Sequence, residues 1–335
     1  MKYVKCNLCR EDDTKFMFQA RDRNIKEKKL FNLVKCKRCG LVYLNPRPDK
    51  EEIKKYYPPW YHYRVHTKVV NFEKTKIWET PWREVMQKKV EPILRYKKEG
   101  SILDVGCGDG SLLKYMKELS WQTYGVELNQ AASQHARDVL GLNVFSGRLE
   151  EADYPKDFFD IISLFHVLEH LPDPSGTLKK VRPLLRKNGF LLIEVPNFGS
   201  FEALVFRSKW AAIAAPLHTY HFTPRTLSIM LKNCGFIPVE LGFIPELTKY
   251  VMGYSESLRY CLMDWGLYSP LWKRMDPRKK EISNNFSSST WDNPLHSLEH
   301  ITFSFFARFM DKIGLGSNLL AVARKKNLLR QQLKK

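Results

Sequence analysis

Four cysteines near the start of the chain, Cys6, Cys9, Cys36 and Cys39, form two C-x-x-C pairs separated by twenty-six residues, with Gly40 directly after the second pair. Each pair brings two thiolates onto one tight turn, and two such turns supply the tetrahedral sulfur set of a zinc ion. With all four positions filled by sulfur, such an ion would be structural, leaving no place for a catalytic water. The competing reading, disulfides, is disfavoured in a reducing compartment. A second group of residues runs from Ile102 to Gly110, where an apolar stretch containing Asp104 enters the glycines Gly106, Gly108 and Gly110. Backbone without side chains can approach a nucleotide-like ligand closely. Another carboxylate, Glu127, closes the apolar run Tyr124-Gly125-Val126 and lies 23 positions after Asp104. A carboxylate at such a strand end can accept hydrogen bonds from both hydroxyls of a ribose. Candidate proton acceptors are His166, Glu169, His170, His218 and His221.

The elements that must position these groups can be read from the pattern of apolar runs. Residues 102–105, 124–127, 143–146, 158–166 and 189–197 read as five strands. The fourth and fifth are so continuously apolar that they suit parallel strands buried on both faces. A helix over about 78–97 leads into the first of them, and a basic helix over about 178–187 precedes the fifth. Thr223 and Pro224 supply the N-cap and first turn of a helix that stops at Gly235. Residues 237–241 and 318–324 read as the sixth and seventh strands. The cysteine unit carries strand-like pieces at 15–20, 33–36 and 41–44 and ends at Asn45-Pro46-Arg47-Pro48, where prolines forbid a continuing ladder. A short helix is expected over 49–57. Asp109 suits a turn, and Cys107, with no basic neighbour to favour a thiolate, is expected to be a packing residue.

With the acid inside the strand end and the glycines spaced G-x-G-x-G, the first turn resembles motif I of the class I S-adenosylmethionine-dependent methyltransferases. The stretch from Phe158 to Pro174, with His166-Val167-Leu168-Glu169-His170-Leu171-Pro172-Asp173-Pro174 at its end, resembles a signature of small-molecule members of that class. The resemblance implies a doubly wound, seven-stranded, Rossmann-like α/β sheet. It also implies a donor site made by Asp104, Gly106, Gly108, Gly110, Glu127, Leu128, Leu149, Glu150 and His166. Many members have an acid after the glycine at 147 to bind the adenine amine; here Arg148 stands there, so Leu149 or Glu150 is the expected substitute. The cysteine unit, the central domain and the H-x-x-x-F segment before a helix together resemble sugar C- and O-methyltransferases of polysaccharide and deoxysugar pathways. That resemblance makes His218 the base, with His166 and His170 as further catalytic candidates. The glutamate and nearby tyrosine that accompany the base in the C-methylating enzymes are replaced by Leu217 and Ala215, which leaves His218 as a base for oxygen rather than carbon.

The expected organisation is a zinc-ribbon-like unit (1–48), an aromatic-rich linker or lid (49–77), the donor-binding domain (78–242), a mainly helical insertion (243–316), and a last strand with a basic tail (317–335). The aromatic cluster from Tyr56 to Tyr63 suits either a lid, since aromatic faces attract a sulfonium, or packing between units. The insertion combines Tyr254, Tyr260, Trp265, Tyr268 and Trp272 with basic residues. It suits a membrane interface, a substrate with an apolar body and an anionic group, or ordinary subdomain core. The chain of 335 residues has a net charge of +19, which favours an anionic or phosphate-bearing small acceptor, an anionic membrane surface or, less readily, nucleic acid. No apolar run approaches a membrane span, and no apolar signal core precedes Cys6, so the expectation is cytoplasmic. The leading reading is a methyltransferase acting on a sugar or other small hydroxylated acceptor. Its competitors are a zinc-ribbon RNA methyltransferase, a quinone or lipid O-methyltransferase at a membrane surface, and a donor-binding interaction protein without turnover. No N-P-P-Y or D-P-P-Y tetrapeptide follows the fourth strand, which argues against amino-group chemistry on adenine or cytosine.

Overall fold

The computed structural model describes residues 1–21, 29–49, 51–57, 79–243, 253–264 and 309–326. The cysteine unit contributes strands β1 (Thr14–Arg21), β2 (Leu30–Cys36) and β3 (Val42–Leu44). Helix α1 (Glu79–Tyr96) then leads into β4 (Ser101–Val105), α2 (Ser111–Glu118), β5 (Gln122–Glu127), α3 (Gln130–Asp138), β6 (Asn143–Ser146) and β7 (Phe159–Phe165). After these come α4 (Pro174–Leu184), β8 (Leu185–Pro196), α5 (Phe201–Phe206), β9 (Tyr220–His221), α6 (Pro224–Asn233), β10 (Phe236–Phe243), α7 (Gly253–Asp264) and β11 (Asn318–Lys325).

Seven strands form one sheet in the order β10-β11-β8-β7-β4-β5-β6, parallel from β4 to β8, with β11 antiparallel to both of its neighbours. This is the expected doubly wound sheet. Its two faces are covered by different helices because neighbouring strand residues point to opposite sides. Ile162, Leu191 and Ile193 pack with Leu178 and Val181 of α4 and Leu227 and Met230 of α6. Ile161 and Leu192 pack with Val90 and Ile93 of α1 and Leu112, Leu113 and Met116 of α2 on the other face. Every residue of β4 and of β7 is buried, which explains their unbroken apolar character. The chain leaves β4 toward β5 on one side, while β7 pairs on the other, so the crevice beyond their carboxyl ends is the switch point where such sheets bind ligands.

The cysteine unit forms a four-stranded sheet, β1-β2-β3-β9, whose last strand comes from the main domain. Val42 pairs with His221 and Tyr43 with Tyr220. Asn7 clasps the start of α4: its Nδ2 donates to Asp173 Oδ1 at 2.7 Å, and its Oδ1 accepts from Ser175 N–H at 3.0 Å. Arg47 donates to the Tyr220 hydroxyl at 2.7 Å and to the Pro172 carbonyl at 2.8 Å.

Two elements differ from the sequence reading. The helix expected over 178–187 runs from Pro174 to Leu184, because Asp173 caps it by accepting from Gly176 N–H and Pro174 fills its first turn. The basic residues Arg186 and Lys187 instead lie in β8, which begins at buried Leu185 opposite Phe159. The helix expected over 49–57 is a single 3-10 segment, Glu52–Tyr56, begun by Asp49 Oδ1 accepting the N–H groups of Glu51 and Glu52. Of the insertion, α7 is described and buries Tyr254, Ser257 and Tyr260. The aromatic cluster beyond Tyr57, Trp265, Tyr268, Trp272 and the basic tail beyond Lys326 lie outside the described residues. Among the described residues no helix is long and apolar enough to cross a membrane.

Candidate active site

The glycine turn at the end of β4 has left-handed backbone at all three glycines, with φ of +74° at Gly106, +56° at Gly108 and +82° at Gly110. At Gly106 a Cβ would sit 2.5 Å from Val167 Cγ2, and at Gly110 2.6 Å from Leu142 Cδ1. Gly108 faces open space. Glycine is therefore needed for conformation at all three and for room at the first and third. Glu127, at the end of β5, reaches into this turn: its Oε2 accepts from Gly108 N–H at 2.9 Å and its Oε1 from Asn129 N–H at 2.7 Å. Asp104 is buried beneath, accepting from Ser163 Oγ at 2.7 Å. Burial, with Glu127 and Asp109 nearby, pushes its carboxyl up to about 6 against the pull of Ser163 and Lys89. Asp109 serves the turn, accepting from Ser111 N–H at 2.9 Å. Cys107 is buried and its thiol is pushed well above the ordinary range, chiefly by that burial, so it packs rather than reacts.

The remaining donor-site candidates are dispersed. Leu128 is exposed beyond β5, Leu149 is buried in the core, and Glu150 is exposed with Lys180 Nζ 3.9 Å away. Arg148 turns its backbone N–H to Glu151 Oε2 at 2.8 Å and so caps the short turn that follows β6.

A second cluster gathers beyond β7. His166 has φ +56°, rare for a residue with a side chain, and its N–H is tied to the Glu194 carbonyl at 2.8 Å. That turn sets its ring between two buried carboxylates, with Nε2 3.1 Å from Glu194 Oε1 and Nδ1 3.4 Å from Glu169 Oε1. Crowding around the ring opposes its charge, but Glu194 and Glu169 outweigh it and hold the imidazole protonated, well above its ordinary range. Burial alone would raise Glu169; the hydrogen bond and charge of His166 with the neighbouring imidazoles bring it down to about 2.

The loop before β9 closes over this group. The Glu169 carbonyl accepts from the N–H groups of Thr219 and Tyr220 at 2.9 and 3.2 Å, which brings His218 beside His170. Their rings meet edge to face, with centroids 4.5 Å apart. His218 Nδ1 lies 2.8 Å from the Ala212 carbonyl and His170 Nδ1 3.2 Å from the Leu217 carbonyl. A carbonyl can only accept, so both rings carry their proton on Nδ1 and keep a lone pair on Nε2. Burial lowers both, His218 to about 4, so each is neutral at pH 7. His221 is fully enclosed in β9 and pushed down to about 3, again chiefly by burial.

The four cysteine sulfurs converge, all within 4.8 Å of one another, with Cys6 and Cys39 3.4 Å apart and Cys9 and Cys36 3.5 Å apart. Gly40 takes φ +81° and donates its N–H to the Cys36 carbonyl, and Arg10, with φ +67°, does the same to Cys6, so the two knuckles match. Burial raises the Cys6 thiol to about 11, while Cys36 is brought below its ordinary range by the N–H groups of Cys39 and Arg38.

Sequence reasoning missed Glu194 and Ser163. Both interrupt strands that are otherwise apolar and buried, and a polar residue in such a strand requires a partner. That was the available signal.

Residues 80–241 match a family model described as a methyltransferase domain. The ubiquinone biosynthesis O-methyltransferase of Bradyrhizobium diazoefficiens is 27% identical over 180 residues, which cover 50% of this chain and 71% of that protein. A Mycobacterium tuberculosis protein named "Probable S-adenosylmethionine-dependent methyltransferase" is 26% identical over 141 residues, covering 42% of this chain and 50% of that one. Among solved structures, a SAM-dependent methyltransferase from Archaeoglobus fulgidus aligns with a TM-score of 0.44 and 20% identity, over 74% of this chain and 98% of that one.

Proposed function

We propose that this S-adenosylmethionine-dependent methyltransferase methylates a hydroxyl oxygen of a small acceptor, in the first place a sugar carried on a phosphate, nucleotide or lipid. The observation that carries the reading is the neutral His218. Its Nδ1–H is fixed on a backbone carbonyl and its free Nε2 lies in the cluster beyond β7, at the same end of the sheet as the glycine turn. The glycine turn and Glu127 fit the donor: three left-handed glycines leave backbone bare, and a carboxylate at the end of β5 can turn from two amides to two ribose hydroxyls. Asp104 and His166 would complete the donor site beneath and beside it, with Leu128, Leu149 and Glu150 bordering the adenine. Glu169, Glu194 and protonated His166 together carry one net negative charge, which suits a sulfonium.

S-adenosylmethionine supplies an electrophilic methyl group on sulfur. The chain must align an acceptor oxygen with it and remove that oxygen's proton. His218 takes the hydroxyl proton on Nε2 as the oxygen–carbon bond forms and the methyl's bond to sulfur breaks, the electron pair returning to sulfur, and ionised Glu169 stabilises the resulting imidazolium while His170 packs its ring in place. The four cysteines fit a structural zinc, since their sulfurs already converge and no position is left open. Such reduced thiolates suit the cytoplasm. O-methylation of a quinone or lipid at a membrane surface is the second reading, favoured by the printed name of the Bradyrhizobium relative and by the net charge of +19.

The deciding experiment incubates the full chain and labelled donor with sugar nucleotides, lipid-linked sugars, hydroxylated quinone precursors and RNA, with mass spectrometry of the product. His218→Ala should lose about 10²- to 10⁴-fold in turnover with donor affinity kept. Full activity in that variant, or transfer to RNA alone with a steep salt dependence, would overturn the proposal.

A further inference from the structure

We infer that Glu169, His170 and His218 form a second metal site, separate from the four cysteines, that takes a divalent transition ion such as Zn²⁺, Mn²⁺ or Fe²⁺. Each residue offers one ligand atom, and the three atoms lie within 4.8 Å of one another. Bonds of about 2.0–2.2 Å to nitrogen and oxygen separate adjacent ligands of one ion by roughly 3–4 Å, so small side-chain movements close the set. Two independent features point to an ion. Glu169 is only 1% exposed, and its one close polar side-chain contact is the long one from His166 Nδ1, 3.4 Å from Oε1, which leaves Oε2 without a hydrogen bond, an arrangement buried carboxylates avoid. Both imidazoles anchor Nδ1 on backbone carbonyls, Ala212 for His218 and Leu217 for His170, which is how metal-binding histidines are held with Nε2 free.

Glu169 and Glu194 are both buried against the single imidazole of His166, 3.4 and 3.1 Å from its two nitrogens. Two imidazoles and one carboxylate select a borderline transition ion over Mg²⁺ or Ca²⁺, which prefer all-oxygen shells. Three protein ligands leave positions for water or an acceptor oxygen. On the hydroxyl-acceptor reading, an ion seated there would occupy the His218 Nε2 lone pair, so the metal-loaded form and the form in which His218 removes the acceptor's proton would exclude each other.

The test saturates the full chain with Zn²⁺, removes excess by gel filtration and counts metal per chain. The wild type should hold two equivalents and Glu169→Gln and His218→Ala one each, while Cys39→Ser loses the other. In titrations with Mn²⁺ alone, which does not compete for thiolates, the first two variants should bind at least tenfold more weakly than wild type. Circular dichroism and a thermal melt, measured in parallel, report folding, and His218→Asn repeats the test should Glu169→Gln fail to fold. One equivalent in the wild type, or two in both variants, overturns the site. A product methylated elsewhere than on oxygen would refute the acceptor reading and leave the metal count untouched.

Discussion

Asp104 should make the protein less stable than it would be without that charge, and Asp104→Asn measures by how much. The side chain is 5% exposed and its carboxyl is held at about 6 rather than 3.8, mainly because burial penalises the anion. A rise of about two pH units corresponds to roughly 3 kcal/mol, at 1.36 kcal/mol per unit. In the range between the two values the folded state binds more protons than the unfolded one. The contribution of Asp104 is therefore fully present below about pH 4 and is lost as pH rises through 6. Asparagine cannot ionise, so the difference in unfolding free energy between variant and wild type should shift in the variant's favour by up to about 3 kcal/mol from pH 4 to pH 7. A constant cost, such as an unpartnered amide hydrogen in the pocket, moves that difference curve up or down without changing its slope. Urea unfolding at four pH values between 4 and 7.5 reads the slope directly, and calorimetry at pH 7.5 should show donor affinity lowered in the same variant. A flat difference curve would refute the assignment of a buried, reluctantly charged carboxylate. Undiminished donor affinity would remove Asp104 from the donor site.

Two glycines of the same turn should separate room from conformation. Gly106→Ala meets Val167 and should abolish measurable donor binding, whereas Gly108→Ala meets nothing and should cost only about 1–2 kcal/mol for its left-handed backbone, both read by calorimetry and thermal melts. Asp160, 8% exposed, is lowered despite its burial because Ser101 N–H and Arg186 favour its charge, so its stabilisation is present above about pH 4 and lost as pH falls through its folded value. Asp160→Asn should accordingly be less stable by about 1–3 kcal/mol at pH 7, and the gap should narrow progressively in melts as the pH is lowered below about 4. Chelation of zinc from the cysteine set should release the first 48 residues to protease and slow turnover, while donor affinity at the glycine turn is retained. Equal proteolysis before and after chelation would count against a structural ion.

How much of this was legible in the sequence follows from where the signals are local. The seven strands, the glycine turn and the Thr223 cap each announce themselves within a few residues, through apolar runs and turn chemistry, and each is present in the expected order, β8 alone beginning four residues early at Leu185. The helix before β8 was displaced because a run of basic residues suggested a solvated helix face, whereas the decisive feature was the capping pair Asp173-Pro174. The partners of His166 were only half visible. Glu169 stands three residues away on the same turn, but Glu194 arrives from the neighbouring strand, and strand pairing is not a property of either segment alone. The same holds for β9, two residues whose strand character exists only because Val42 and Tyr43 lie opposite.

That short strand also explains why a cysteine unit at one end of the chain bears on chemistry at the other. Tyr220 and His221 pair with β3, which begins three residues after Cys39, and Tyr220 is further held by Arg47. On its other side the same loop is fixed by the Glu169 carbonyl. His218 directly precedes both attachments, so its ring position depends on both the sheet of the cysteine unit and the turn after β7. The glycine turn and Glu127, by contrast, are secured within the main sheet, by β4, β5 and the turns that follow them. Loosening the cysteine unit should therefore displace the proposed base and leave the donor cradle standing, which predicts a fall in kcat with no change in donor Kd.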